Sequence, residues 1–224
     1  MIARAPAVAR RTGASPLADR EETRARILQV ARERFRANGV QKTTMEDIAH
    51  AAGTSRQVIY RFFSGRGEIV EAAIVERIRE MAAVLAEGLD RYSTFAEVMV
   101  EVSLATIEAA RHDQELQGLF ENTNGIRLHH VLAGPQAAVA NLVEEFWRPW
   151  FQRARQSGEL RTDVDDRDLV EWIRGVYLML ILRDDLDADR EREILQRYLL
   201  PSLSVEAASA AAAPAPVRRR RRSR

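Results

Sequence analysis

The sequence predicts an all-α protein of about nine helices, in a small N-terminal domain and a larger C-terminal helical domain. Three observations predict it. Apolar residues return at helical spacing, as in Ile27, Ala31 and Phe35 at i, i+4 and i+8. Capping residues precede the stripes, and glycine or proline ends them. The longest strongly hydrophobic run, Val176 to Leu182, suits a buried helix and falls short of the ~18 residues of a membrane span.

Composition narrows the class. A chain of 224 residues makes one larger domain or two modest ones, and 46% hydrophobic residues can fill a core. Cysteine is absent, which excludes a disulfide framework, a thiolate nucleophile and a Cys-based metal site, and fits a reducing cytosol. The N-terminus has no continuous apolar core, so no secretory signal is expected. Lys42 is the single lysine among 34 basic residues, a bias that points to a GC-rich coding genome.

Charge is unevenly placed. Residues 1–70 carry 13 basic and 7 acidic groups; residues 71–217 carry 15 and 26; residues 218–224 carry 6 arginines and no acid. A basic head, an acidic body and a basic tail are the pattern of a protein in which one domain meets a polyanion.

Residues 1–18 read as a disordered basic arm. Arg4, Arg10 and Arg11 could reach a phosphate or a minor groove; a solvated tail without a role reads equally well. The first helix runs from Asp19 to Asn38. Acidic Asp19, Glu21 and Glu22 open it, and Arg32, Arg34 and Arg36 close it, which suits the helix dipole. Asn38-Gly39 ends it.

Thr43 to Phe63 reads as two short helices joined by a tight turn. Thr43 or Thr44 can cap the first, with Glu46 or Asp47 closing a capping box. Ile48 and Ala52 share its inner face. Gly53 stands where the backbone favours a left-handed turn. Ser55 can cap a second helix from Arg56 to Phe62 or Phe63. Val58, Ile59 and Phe62 form its apolar face, while Arg56, Gln57, Tyr60 and Arg61 lie largely on the other. This is the helix-turn-helix design, whose second helix enters the major groove. Taken alone, the pattern fits an ordinary αα-hairpin in a helical core equally well.

On that helix Arg56 can grip guanine O6 and N7 in a fork, and Gln57 can pair with adenine N6 and N7. Arg61 is a phosphate contact or a weaker reader. Thr43, Thr44 and Ser55 can offer hydroxyls and helix N-terminal amides to phosphates.

A connecting helix follows from Glu68 to Leu89. Gly65 and Gly67 leave its start and its rigidity open, at about 1 kcal/mol per glycine inside a helix. Ser93 or Thr94 caps a helix from Phe95 to Arg111. Asp113 to Phe120 forms a short helix, Asn122 to Gly125 a turn, and Ile126 to Gly134 is ambiguous. Pro135 opens a long helix to Gln156, with Pro149 expected to kink or break it. Residues Asp163 to Asp168 cap a helix from Leu169 to Leu182. Their four aspartates lack the glycine and the final glutamate of an EF-hand loop, so capping explains them better than calcium. His129 and His130 face different ways on a helix, which argues against a shared metal. A last helix spans Arg190 to Leu200 and ends at Pro201. Ala207 to Pro216 is an Ala/Pro linker to the polybasic tail at Arg218–Arg222 and Arg224, which could add salt-sensitive DNA affinity.

The two final long helices carry more apolar surface than one small domain can cover. A homodimer in which they meet their copies as a four-helix bundle is the economical answer.

From Thr23 to Val70 the chain resembles the N-terminal domain of the TetR family, the tetracycline-repressor-like one-component regulators. The resemblance rests on TRARILQVARERFRANGV, on TTMEDIAHAAG and on TSRQVIYRFFSGRGEIV; the Ile-Tyr-Arg-Phe-Phe run resembles the family's Leu-Tyr-x-Tyr-Phe signature. The sequence departs from the pattern at Gly67. Beyond Val70 only the helical layout is similar. The resemblance implies that Tyr60 hydrogen-bonds a phosphate, that Arg66 clamps another, and that Thr23 and Arg24 touch the backbone. It implies a bacterial, cytoplasmic, nucleoid-associated repressor acting as a homodimer on a palindromic double-stranded operator. It also implies that a small, hydrophobic molecule binds among the middle helices, moves the fourth helix and weakens operator binding. Candidate lining residues are Met99, Val102, Leu119, Phe120, Trp147, Trp150, Phe151, Trp172 and Tyr177.

The expected domains are 1–18 arm, 19–66 helix-turn-helix, 67–205 ligand-binding and dimerisation, and 206–224 linker and tail. No catalytic residue, cofactor, metal or membrane contact is expected. Two other readings remain: a sequence-tolerant DNA-coating protein and an all-helical enzyme. Against the enzyme stand the lack of a phosphate-binding glycine loop and of histidines and carboxylates clustered at ligand spacing.

Overall fold

The structure is a computed structural model, and it describes residues 16–120 and 137–205. The basic arm up to residue 15, the stretch from Asn122 to Pro135 with His129 and His130, and the linker and polybasic tail lie outside the described residues. Helices account for nearly all the secondary structure there; one isolated antiparallel bridge joins Leu160 and Ser204. The chain divides into two compact units, Met1–Ala72 and Ala73–Arg224.

In the first unit α1 spans Pro16–Asn38, three residues longer at its start than expected. Proline suits a helix's first turn because the N–H it lacks has no intrahelical partner there. Ile27, Leu28, Ala31 and Phe35 are buried along α1. Helix α2, Met45–Ala51, opens on a capping box between Thr44 and Asp47, and buries Met45, Ile48 and Ala49. The turn passes through Gly53 at φ 61°. Helix α3 is Arg56–Tyr60, capped by the Ser55 hydroxyl accepting from the Val58 amide. It is shorter than the expected run to Phe62 or Phe63, because Arg61 and Phe62 donate three residues back, to Val58 and Ile59, and tighten the chain into a turn. Ile59 and Phe63 are fully buried, whereas Val58 and Phe62 are only partly covered.

Helix α4, Arg66–Ala86, starts between the two glycines and carries Gly67 in its first turn. The Glu68 carboxylate accepts the Ser64 amide at 2.6 Å, which fixes that start despite Gly65 and Gly67. Its end at Ala86 precedes a 3-10 turn, Leu89–Arg91.

In the second unit α5 is Phe95–His112, opened by a Thr94–Glu97 capping box. Helix α6 is Gln114–Phe120, with Asp113 accepting the Leu116 amide at 2.8 Å. Helix α7, Ala137–Gln156, runs on through Pro149, so of the expected kink or break the break does not occur. Trp147, Trp150 and Phe151 are buried around that proline, and their packing offsets the one lost backbone bond. Helix α8 is Asp166–Ile181, capped by Asp165, and α9 is Ala188–Ile194, capped by Asp187. A π-helical turn, Leu195–Leu199, leads into α10, Leu200–Leu203. Pro201 therefore sits in a helix start rather than ending one.

One core joins α5, α7, α8 and the final helices, including Val98, Met99, Phe151, Ile173, Leu195 and Leu203. Arg77 of α4 donates to the Asp113 carboxylate at 2.6 Å and 2.9 Å. Burial alone would raise that carboxyl, but Arg77 and the Leu116 amide outweigh it and hold it below the usual range. Arg111 reaches the Leu180 and Arg183 carbonyls and pairs with buried Glu191.

Candidate nucleic-acid interface and helical-domain cavity

The outer face of α3 is built by its buried one. Ile59 is wholly buried, Phe63 nearly so, and α3 packs against α2. Residues two positions from Ile59, Gln57 and Arg61, then point away from it on a 3.6-residue repeat, and Arg56 and Tyr60 stand at the margins of the buried face. Ser55, Arg56, Gln57, Tyr60 and Arg61 are exposed there. Arg56 Nη2 donates to Tyr60 Oη at 3.2 Å, and the guanidinium lies 5.4 Å from the Tyr60 ring centre. The Tyr60 hydroxyl, and after it the Glu46 carboxylate, hold the guanidinium more firmly charged than usual. Because Tyr60 accepts from Arg56, its own proton is left to donate to a phosphate.

Thr44 and Ser55 spend their hydroxyls on caps. Thr43 is displaced from its expected role. It is fully buried, and its hydroxyl donates to the Gly39 carbonyl at 2.9 Å, closing the α1–α2 loop. A hydroxyl sealed in this way cannot meet a phosphate. Arg66 is exposed, but its Nη1 donates to the Gln41 carbonyl at 3.0 Å and the Thr43 carbonyl at 3.3 Å. It pins the same loop, so any phosphate contact adds to a structural task. Thr23 donates its hydroxyl to Asp19 of its own helix at 2.8 Å. Arg24 lies over the Phe63 ring at 4.7 Å, and Arg20 over Phe62 at 5.8 Å.

Sequence reasoning missed Glu46, which forms an ion pair with Arg56. The two stand ten residues apart across the Gly53 turn, and no spacing rule links them.

The second unit holds a cavity of about 110 Å³. Ile78, Met81 and Leu85 line it from α4, Val102, Thr106 and Ala110 from α5, and Leu116 and Phe120 from α6. Val139, Leu142, Val143, Phe146 and Trp147 of α7 and Arg174, Tyr177, Leu178 and Ile181 of α8 complete the described wall. Of the nine candidates, Val102, Phe120, Trp147 and Tyr177 reach it. Met99, Leu119, Trp150 and Phe151 are buried elsewhere in the core. Trp172 is corrected outright: it is 51% exposed, and its indole N–H donates to Ser202 at 2.8 Å.

The hydroxyls near the wall are already engaged. Tyr177 Oη and Ser103 Oγ lie 2.8 Å apart, and Thr106 donates to the Val102 carbonyl at 2.7 Å. Burial pushes the Tyr177 hydroxyl well above its usual pKa, and Ser103 offsets part of that. Arg174 is the charged residue of the described wall; burial lowers its pKa and Glu171 opposes the change. Among the described residues no helix is long and apolar enough to cross a membrane, and no group of His, Cys, Asp and Glu could hold a metal ion.

Residues 27–73 match the model of bacterial regulatory proteins of the tetR family. The chain is 40% identical over 182 residues to the HTH-type transcriptional regulator SrpR of Pseudomonas putida, covering 80% of this chain and 83% of that protein. Among solved structures it resembles RolR in complex with resorcinol, with a TM-score of 0.64 at 19% identity, over 89% of this chain and 98% of that one. It also resembles the R. erythropolis transcriptional repressor QsdR from TetR family, with a TM-score of 0.63 at 17% identity, over 81% of this chain and 95% of that one.

Proposed function

This chain belongs to the TetR family of DNA-binding transcriptional regulators, and from that premise we propose a homodimeric repressor that leaves its operator when a small apolar molecule fills the cavity. The observation that carries the DNA half is the exposed face of α3. Arg56, Gln57, Tyr60 and Arg61 stand outward on a helix whose other side is locked by Ile59 and Phe63. Arg56 and Gln57 read base edges; Tyr60, Arg61, the α2 and α3 starts and Arg66 hold phosphates. Thr43 is no longer among the contacts.

The ligand half is supported by the cavity's size and lining. An apolar cavity of about 150 Å³ is known to take benzene, so 110 Å³ is on the scale of one ring. Helix α4 carries Arg66 at its start and Ile78, Met81 and Leu85 on the cavity wall. A ligand that prefers one position of that helix shifts the DNA-binding state in proportion to its differential affinity. RolR, a structural neighbour, is described with resorcinol bound. Dimerisation is supported by the apolar face of α8, and it supplies two recognition helices for a palindrome. Such a regulator works in the bacterial cytoplasm, on the nucleoid.

In vitro selection from random duplexes, followed by binding across a salt series, tests the DNA half. One palindrome should stay preferred at physiological salt; uniform affinity would establish a coating protein instead. Titration with p-xylene, followed by tryptophan fluorescence, tests the ligand half. Occupancy should weaken binding to the selected duplex. Binding of p-xylene without loss of DNA affinity would overturn ligand release.

A further inference from the structure

Glu46 stands in the first turn of α2, and its carboxylate binds Nη1 of Arg56 in the first turn of α3. The other terminal nitrogen, Nη2, donates to Tyr60 Oη at 3.2 Å. The guanidinium is thus gripped from two helices before any duplex arrives. A guanidinium has more donors than these two contacts use, Nε–H among them, and its fork is planar and rigid. Fixing one nitrogen on a carboxylate therefore fixes where the remaining N–H groups point.

Both partners are more than half exposed, at 55% and 59% of their side-chain area, so the pair is weak. Its effect on selectivity depends on whether it must be broken. A base edge in front of α3 can accept from the remaining donors while Glu46 keeps its hold. A flanking phosphate can take Arg56 only if the side chain swings away, which breaks the pair and leaves the Glu46 carboxylate beside a polyanion. The first contact keeps the pair; the second loses it and adds repulsion.

We propose that Glu46 is a specificity-determining residue that holds Arg56 toward guanine and denies it the neighbouring phosphates. This rests on the reading of Arg56 as a base reader given under Proposed function. It makes Glu46 a positioning residue, acting through Arg56 rather than on a base.

The test is in vitro selection from random duplexes with the full-length wild type, Glu46→Gln, Arg56→Gln and the double variant, with thermal unfolding as a check on folding. Glu46→Gln should lower the ratio of guanine-containing to guanine-lacking sites by about two- to fivefold, the range expected for an exposed pair. Its salt dependence should steepen by about one counterion, because Arg56 now reaches a phosphate. In the Arg56→Gln background the same change should leave selectivity untouched. An unchanged ratio in Glu46→Gln, beside lost guanine preference in Arg56→Gln, overturns the inference and leaves the reading of Arg56 standing. Unchanged preference in Arg56→Gln overturns both. A loss of selectivity of equal size in both backgrounds assigns Glu46 a bulk electrostatic role and also overturns the proposal.

Discussion

Arg56 ends in N–H donors alone, so what it reads depends on what already holds it. Arg56→Ala removes the fork, and affinity for the preferred duplex should fall roughly 5- to 150-fold, the worth of one good bidentate base contact. The check is the selected base at that position: preference should relax there, and equal weakening on all sequences would contradict base readout. Tyr60→Phe removes the hydroxyl proposed to hold a phosphate, so affinity should fall on every duplex while the preferred site stays the same. Thr43 behaves differently. Its hydroxyl is buried on the Gly39 carbonyl, so Thr43→Val should cost about 1 kcal/mol of stability in chemical unfolding and leave base preference intact. A loss of DNA affinity without a loss of stability would return Thr43 to the interface. Residue types on the face of α3 were legible because one buried isoleucine fixes the rest of a helix. Thr43 was not, because a hydroxyl residue before an N-cap looks the same from sequence whether it faces water or a carbonyl. Glu46 was hidden for a related reason: its partner is set by the angle between two helices.

At the scale of the element, caps and breakers were the readable features. Thr44, Ser55, Thr94 and Asp165 cap the helices they were expected to open. Gly53 ends α2 at φ 61° with nothing within 4 Å of an added Cβ. Gly53→Ala should therefore cost about 1–2 kcal/mol from the backbone alone, with no steric addition. A thermal shift near zero would mean that the turn relaxes to negative φ. Pro149 misled because local chemistry alone breaks helices, whereas buried aromatics on both sides of it keep α7 whole. The contact of Arg77 in α4 with Asp113, at the junction of α5 and α6, has a pH signature. Asp113 is held below the usual carboxylate range in the folded chain. Its contribution is present above the ordinary aspartate pKa and is lost as pH falls through the depressed folded value. Arg77→Gln should lower stability by about 1 kcal/mol at neutral pH, discounted for partial exposure. The gap from wild type should close in strong acid, and a constant gap would assign the loss to packing.

At the scale of the whole molecule, surplus apolar surface was legible and its partition was not. Aromatic type alone placed Trp172 and Trp147 together, yet Trp147 lines the cavity and Trp172 faces outward. Trp172 and Met179 on the outer side of α8, and Leu182 at its C-cap, are 51%, 45% and 63% exposed, with Tyr198 at 62% in the π-helical turn after α9. Spacings of seven and then three keep Trp172, Met179 and the C-cap Leu182 on one side of the helix. An aligned row of large apolar side chains is costly to leave in water, and a twofold axis covers it with its own copy. Met179→Asp places a charge in the row without touching the core beneath, since Met179 already faces outward. Sedimentation should show the wild type as a dimer and the variant as a monomer of unchanged helical content. Affinity for the selected palindrome should fall far more than affinity for a single half-site, because only the dimer engages both halves at once. A variant that stays dimeric, or a wild type that sediments as a monomer while still preferring a palindrome, would place the pairing surface elsewhere on the chain.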